Sequence, residues 1–463
     1  MRRILGWHEV CEPTRRTDLL SKGGSFVQKC QCRFISLGIT YLSSIIALSN
    51  MPACAQPQLI ANSQLDQSRI HDTVDRASYA SGLPVNHPLD VALVNRAQLH
   101  EIFRQQAAAN HQSEAWSLRQ TAYQTMGFLP EGGQDSHENI GLLSRSAAGL
   151  YMPRQETLYI VSEPARSEKG GIYLNSLGNL GDELTLAHEI VHALQHQHFP
   201  EVFKDAPVWQ QQADANTALQ AAIEGDANLR AAQSMGLLGR ARDPEEVIEF
   251  SRDRKFQPLS DESALVHERV VFPYTYGYRF AYHEGKNGLK TLPASTEQII
   301  HIKTKGRAPF LAIDLGEFSG MVETIGCRVV FQDTMGELLV SLWLRSLNAS
   351  IDHAAWNGWD GDRWVVANCG QSREVAWLTS WDTEQDAREF ERAVAKVASE
   401  WQWRANLQSD IAIDLRGRDV IVSTSGLRLQ NDDLVQLAKR KRVSTREELA
   451  AHFTAPVLHN PHR

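Results

Sequence analysis

Apolar residues change their period several times along this chain, and each change marks an element. From 66 to 125 they recur at helical spacing among Gln- and Ala-rich faces, which predicts a helical N-terminal region. GLYMPRQETLYIVSE breaks that period: Pro153 marks a turn, Leu158–Val161 reads as a strand, and GGIYLNSL at 170–177 supplies a second strand candidate. Gly181, Asp182 and Glu183 are then turn-prone and acidic. Leu184, Ala187, Ile190, Val191 and Leu194 follow at helical spacing and Pro200 stops the run, so 182–199 read as one helix. A further helical stretch covers 209–235.

Downstream, Ser295 with Gln298 three residues on is a capping signature for a short helix, STEQIIH. LLVSLWLRSL reads as an apolar helix, RWVVANC and REVAWLTSW as strands, and Asp382 as the cap of a helix reaching 398. IAIDLRGRDVIVSTSG predicts a hairpin turning at Gly417, and the basic run Lys439–Arg442 reads as a solvated helix face. Eight of the eleven tryptophans lie between Trp343 and Trp403, and their apolar neighbours assign them to a core rather than to a sugar-binding platform. The expected fold class is α+β. The expected organisation is an N-terminal extension at 1–55, a linker and helical region at 56–148, a core at 149–310 and a mixed C-terminal lobe at 311–463.

Composition narrows the partners. A chain of 463 residues, 42 % apolar, buries a sizeable core, and its net charge of −8 argues against nucleic acid or an anionic membrane surface. The N-terminus has the layout of an export signal: basic residues up to Arg33, the uncharged FISLGITYLSSIIAL, then NMPACAQ with Ala53 and Ala55 placed for cleavage before Gln56. The segment is either removed, retained as a membrane anchor or lipidated at Cys54. The expected location is therefore periplasmic, cell-envelope or extracellular, with membrane contact only through an uncleaved N-terminus. Four of the six cysteines precede the cut, leaving Cys327 and Cys369 either as a disulfide or as two buried thiols.

LTLAHEIVHALQHQHF, at 184–199, carries the candidate chemistry. His188 and His192 are one helical turn apart, so both imidazoles leave the same face and suit one tetrahedral zinc. Glu189 adjoins the first of them, placed as general base toward a metal-activated water; together these form the zinc-hydrolase motif HExxH. Such a site wants a third protein ligand, and two residues offer themselves. Glu224, in AAIEGDANL, lies on the later helix, where Gly225 would allow close approach to the histidine helix and Asp226 could orient a ligating histidine. His198 reproduces the outer spacing of HExxHxxGxxH, but that arrangement needs glycine at 195 to turn the chain back, and 195 is glutamine. Glutamate is favoured.

HEIVHALQHQHF followed by AAIEGDA resembles the gluzincin-type arrangement of a family of exported bacterial and archaeal zincin-like zinc metallopeptidases. The similarity extends over 149–390, through GLYMP, FPYTYGYRF, STEQIIH, MGELL, GWDGDRW and WLTSWDTEQDAREF. It implies a zincin-like core, zinc held by His188, His192 and Glu224, and peptide-bond hydrolysis with Glu189 as base. His196 departs from it, standing where an aspartate is expected.

Tyr274 and His301 are further catalytic candidates, as donors to a developing oxyanion, with packing or capping as the plainer role of each. Asp360 and Asp362 in GWDGDRW suggest calcium less than a tight turn. The expected partner is a peptide or protein substrate. The alternative is a zincin-derived binding or envelope-assembly protein using the Trp-rich lobe, against which the intact Glu189 weighs. Neither remaining cysteine has a nucleophile context.

Overall fold

A computed structural model describes residues 60–61, 64–111, 114–129, 149–162, 179–204, 209–237, 244–245, 248 and 264–453. The export segment and the strand candidate GGIYLNSL lie outside these residues. No helix among the described residues is long and apolar enough to cross a membrane.

A short hairpin, β1 (Ile60–Ala61) with β2 (Gln64–Leu65), leads to helix α1 (Gln67–Ser81). Asp66 caps α1 by accepting the amides of Ser68 and Arg69. Strand β3 (Asp90–Val94) and helices α2 (Arg96–His111) and α3 (Glu114–Thr125) follow. Strands β4 (Gly149–Met152) and β5 (Thr157–Val161) complete a three-stranded sheet of order β3-β5-β4, with β3 parallel and β4 antiparallel to β5. The expectation of helix throughout 66–125 misses β3. DVALV is too short to show a period of its own, and it is a strand because β5 pairs with it.

The histidine helix α4 (Asn179–His198) precedes α5 (Ala213–Ser234) and α6 (Ala264–Glu284). Then come α7 (Thr296–Ile300), β6 (Phe310–Asp314), α8 (Gly316–Thr324), β7 (Cys327–Asp333) and α9 (Gly336–Leu347). Strands β8 (Trp359–Cys369) and β9 (Ser372–Trp381), helix α10 (Glu384–Arg404) and the hairpin β10 (Ile411–Arg416) with β11 (Asp419–Thr424) follow. The described chain ends with α11 (Asn431–Leu437), β12 (Lys439–Val443) and α12 (Arg446–His452). The architecture is mixed α+β.

Strands β7 to β11 form one antiparallel sheet of order β10-β11-β9-β8-β7. Its strands read as nearly continuous apolar runs because both faces are covered. Trp364, Val366, Trp377, Val420 and Val422 face the main core with α5, α9 and α10; Val365, Ala367, Ala376, Leu378 and Ile421 face α8 and α11. Six of the eight clustered tryptophans are fully buried, and Trp403 alone is largely exposed, at 76 %. Trp343 and Trp401 donate their indole N–H to the carbonyls of Met126 and Thr125, pinning the end of α3 to this lobe. Cys327 and Cys369 are cross-strand partners in β7 and β8 and are joined as a disulfide.

Three local expectations are corrected. Lys439–Arg442 is not a helix face but strand β12, paired with β6. Its alternate residues Arg440 and Arg442 reach Asp419 and Asp360. The GWDGDRW carboxylates lie in β8 rather than in a turn, and protein donors occupy them in place of calcium. Asp360 pairs with Arg442, and Asp362 accepts the amides of Met335 and Gly336 and the indoles of Trp359 and Trp377. Thr383 with Asp386, not Asp382, forms the capping box of α10, and Asp382 accepts from Lys305.

STEQIIH folds as expected, Ser295 accepting the Gln298 amide, while the Gln298 side chain accepts from the Ala294 amide. Glu297 is buried beside Lys305, Glu337 and Asp382. Burial pushes its carboxyl up; Lys305 pulls it down, Glu337 and Asp382 add to the rise, and the result is about 7 against an ordinary 4.5. Between those values the folded chain holds a proton that the unfolded chain has released. Stability attributable to Glu297 therefore falls as pH rises through this window, by up to about 3 kcal/mol. Urea unfolding of Glu297→Gln and the natural chain from pH 5 to pH 8 should show the variant gaining relative stability as pH rises. A constant difference would mean that Glu297 holds no proton in the fold.

Candidate metal centre

Helix α4 is held between two layers. Leu186, Ile190, Val191 and Leu194 bury one flank against the β3-β5-β4 sheet and α1, and Glu183 pairs with Arg69 of α1. The histidine face is left toward α5 and α6. Helix α5 crosses α6 at two glycines: a Cβ built on Gly225 would lie 1.9 Å from the Gly277 carbonyl carbon, and one on Gly277 would lie 2.1 Å from the Ala221 oxygen. Gly225 therefore serves an approach to α6, not the approach to the histidine helix expected from the sequence. One residue before it, Glu224 is carried to the histidines. One turn before Gly277, the Tyr274 ring comes to 6.3 Å from that of His188.

Three ligand atoms converge. His188 Nε2 lies 3.1 Å and His192 Nε2 3.2 Å from Glu224 Oε2, and the two nitrogens are 2.9 Å apart. Zinc bonded at about 2.0–2.1 Å sets tetrahedral neighbours roughly 3.3 Å apart, within a few tenths of an ångström of this triangle. The His192 Nδ1 faces Gln195 Oε1 at 2.9 Å, so the proton of the neutral ring sits there and its Nε2 presents a lone pair to the triangle. Two imidazole nitrogens and a carboxylate at such distances form a donor set that fits a metal. The three side chains are 12–20 % exposed, so the triangle is not sealed from solvent.

A proton on His192 competes with a cation for this triangle. Burial lowers the basicity of His192, but the Glu224 charge and hydrogen bond, Glu189 and Gln195 raise it to about 9. Burial pushes Glu224 up, and the two imidazoles hold it far below the usual carboxylate range. Glu189 leaves the helix beside the triangle, and its Oε2 accepts the Tyr151 amide of edge strand β4 at 2.7 Å. Gly149 of the same strand lies against it; a Cβ there would be 3.3 Å from Glu189 Cγ. The Glu224 charge, burial and the Glu189 charge raise the Tyr274 phenol well above its ordinary range, so it stays a donor.

Other expected residues lie elsewhere. His198 Nε2 meets the Pro84 carbonyl at 2.7 Å, and α4 continues helically through Gln195, so His198 does not join the triangle. His301 does not join it either; its Nε2 is 2.9 Å from both oxygens of the buried Glu337. Asp226 touches no ligand directly and accepts from Gln195 and Arg230. His196, where the resemblance leads us to expect an aspartate, is 2.9 Å from the Tyr151 hydroxyl.

Two residues escaped the sequence reading. Gln195 had a signal, its place three residues after His192 on one helix face. Tyr151 had none, because its contribution to Glu189 is a backbone amide.

Comparison with known proteins adds one match: the family described as Domain of unknown function (DUF8575) covers residues 324–434, from the end of α8 through β7–β11 to the start of α11. No curated protein and no solved structure matches the chain.

Proposed function

We propose that this chain is a zinc-dependent metallopeptidase with a zincin-like core, acting on peptides or proteins in the cell envelope or outside the cell. The observation that carries the reading is the convergence of His188, His192 and Glu224, with Glu189 anchored beside them by a strand edge. His188, His192 and Glu224 would hold the zinc, which would supply Lewis-acid activation of water.

The chain's own residues do the rest. Glu189, with one oxygen fixed by Tyr151, takes a proton from the water that attacks the peptide carbonyl and returns it to the departing amine. Tyr274 donates to the developing oxyanion. The binding-protein alternative gains little, because the tryptophans it would use fill the core.

The test is Glu189→Gln in the purified chain from Gln56 onward. Zinc content should stay at about one per chain while cleavage of a peptide library falls by roughly 10²–10⁴-fold, the usual contribution of a general base. Unchanged cleavage would remove Glu189 from the chemistry, and a natural chain that neither binds zinc nor cleaves would remove the function.

A further inference from the structure

Gln195 is 1 % exposed and makes polar contacts at both ends of its amide. Its Nε2 donates to the Ile223 carbonyl at 3.2 Å and to Asp226 Oδ2 at 3.0 Å, and its Oε1 faces His192 Nδ1 at 2.9 Å. An amide can be placed either way round, but here one way only is chemically consistent. Turned over, its oxygen would face a carbonyl and a carboxylate, both acceptors. Asp226 is itself fixed: Arg230, 4 % exposed, donates from Nε to Asp226 Oδ1 at 3.0 Å and from its terminal nitrogens to Gln233 and the Gly285 carbonyl.

We propose that Arg230, Asp226 and Gln195 form a polarity-setting chain that commits the His192 ring to carry its proton on Nδ1 and present Nε2 to a metal. Gln195 is a positioning residue acting through His192, and Asp226 acts through Gln195. The chain couples the second histidine to α5, the helix that carries Glu224. This rests on the reading of the triangle as a metal site. It goes beyond that reading in assigning the work of orientation to an amide whose direction is dictated from behind.

The test uses zinc affinity, by chelator competition, together with ¹⁵N-histidine NMR of the metal-free and zinc-loaded chain. In the natural protein one histidine Nδ1–H should exchange slowly with water in both states, and Gln195→Met should abolish that signal and weaken zinc by about 10–100-fold, as loss of a ligand-orienting contact does. Gln195→Met also removes the donor to Asp226 Oδ2, a structural loss separate from the orienting one. A polarity swap separates the effects. Gln195→Glu alone sets two carboxylates together and should weaken zinc; adding Asp226→Asn restores a donor facing an acceptor and should recover part of the affinity.

Failure of the swap to improve on Gln195→Glu alone, or zinc affinity within twofold of natural in Gln195→Met, would overturn the proposal. Absence of the protected Nδ1–H would overturn it too. A protected Nδ1–H in a chain that binds no zinc would instead sink the metal reading and leave the orienting chain standing.

Discussion

Glu224→Ala is expected to strip the chain of its metal. A four-ligand zinc site yields about 10–16 kcal/mol, so one ligand of comparable weight accounts for about 3–4 kcal/mol, several hundred-fold in affinity. The third ligand comes from a different helix, so the two remaining histidines, one turn apart on α4, are left with a face open to solvent. His198→Ala is the informative control, because its ring is engaged with the Pro84 carbonyl and should leave zinc untouched. Elemental analysis after dialysis against a weak chelator reads both. Zinc retained in Glu224→Ala and lost in His198→Ala would exchange the two assignments and require α4 to break near Gln195.

What the sequence discloses about this site, and what it hides, divides by range. His188, Glu189 and His192 are legible because their geometry is set by one helical turn, and the apolar positions of α4 reveal that helix. Glu224 is legible as a residue type in a second helix. Its arrival at the histidines depends on α6, since the Gly225–Gly277 contact is a pairing between distant segments that no local pattern encodes. The same holds for Lys439–Arg442: four basic residues carry no period, and β6 makes them a strand. Asp360 and Asp362 look like ligands in isolation, and the arginine and indoles that occupy them come from elsewhere in the chain. Where both faces of a strand are covered, as in β8 and β9, continuous apolar runs made the strands readable without showing how their faces divide.

Gly225→Ala is expected to destabilise the fold severely through a single added methyl group. Two effects oppose each other. Alanine is a better helix former than glycine by about 1 kcal/mol, which favours the substitution. Against it, the new carbon would lie 1.9–2.6 Å from three backbone atoms of Gly277, and backbone at a helix crossing cannot swing aside as a side chain can. The helices must part by more than an ångström, opening the packed crossing around Ala221 and Ala222, for a net loss on the order of 4 kcal/mol. Because Glu224 and Tyr274 ride on the two helices that separate, zinc affinity should fall with stability. Gly236→Ala provides the comparison: its φ of +68° makes alanine strained by about 1–2 kcal/mol, but nothing lies within 4 Å of the added carbon. Urea unfolding of the metal-free chains, followed by the fluorescence of the buried tryptophans, should rank Gly225→Ala well below Gly236→Ala. Equal losses would mean that α5 and α6 do not cross in the close contact that delivers Glu224 to the histidines.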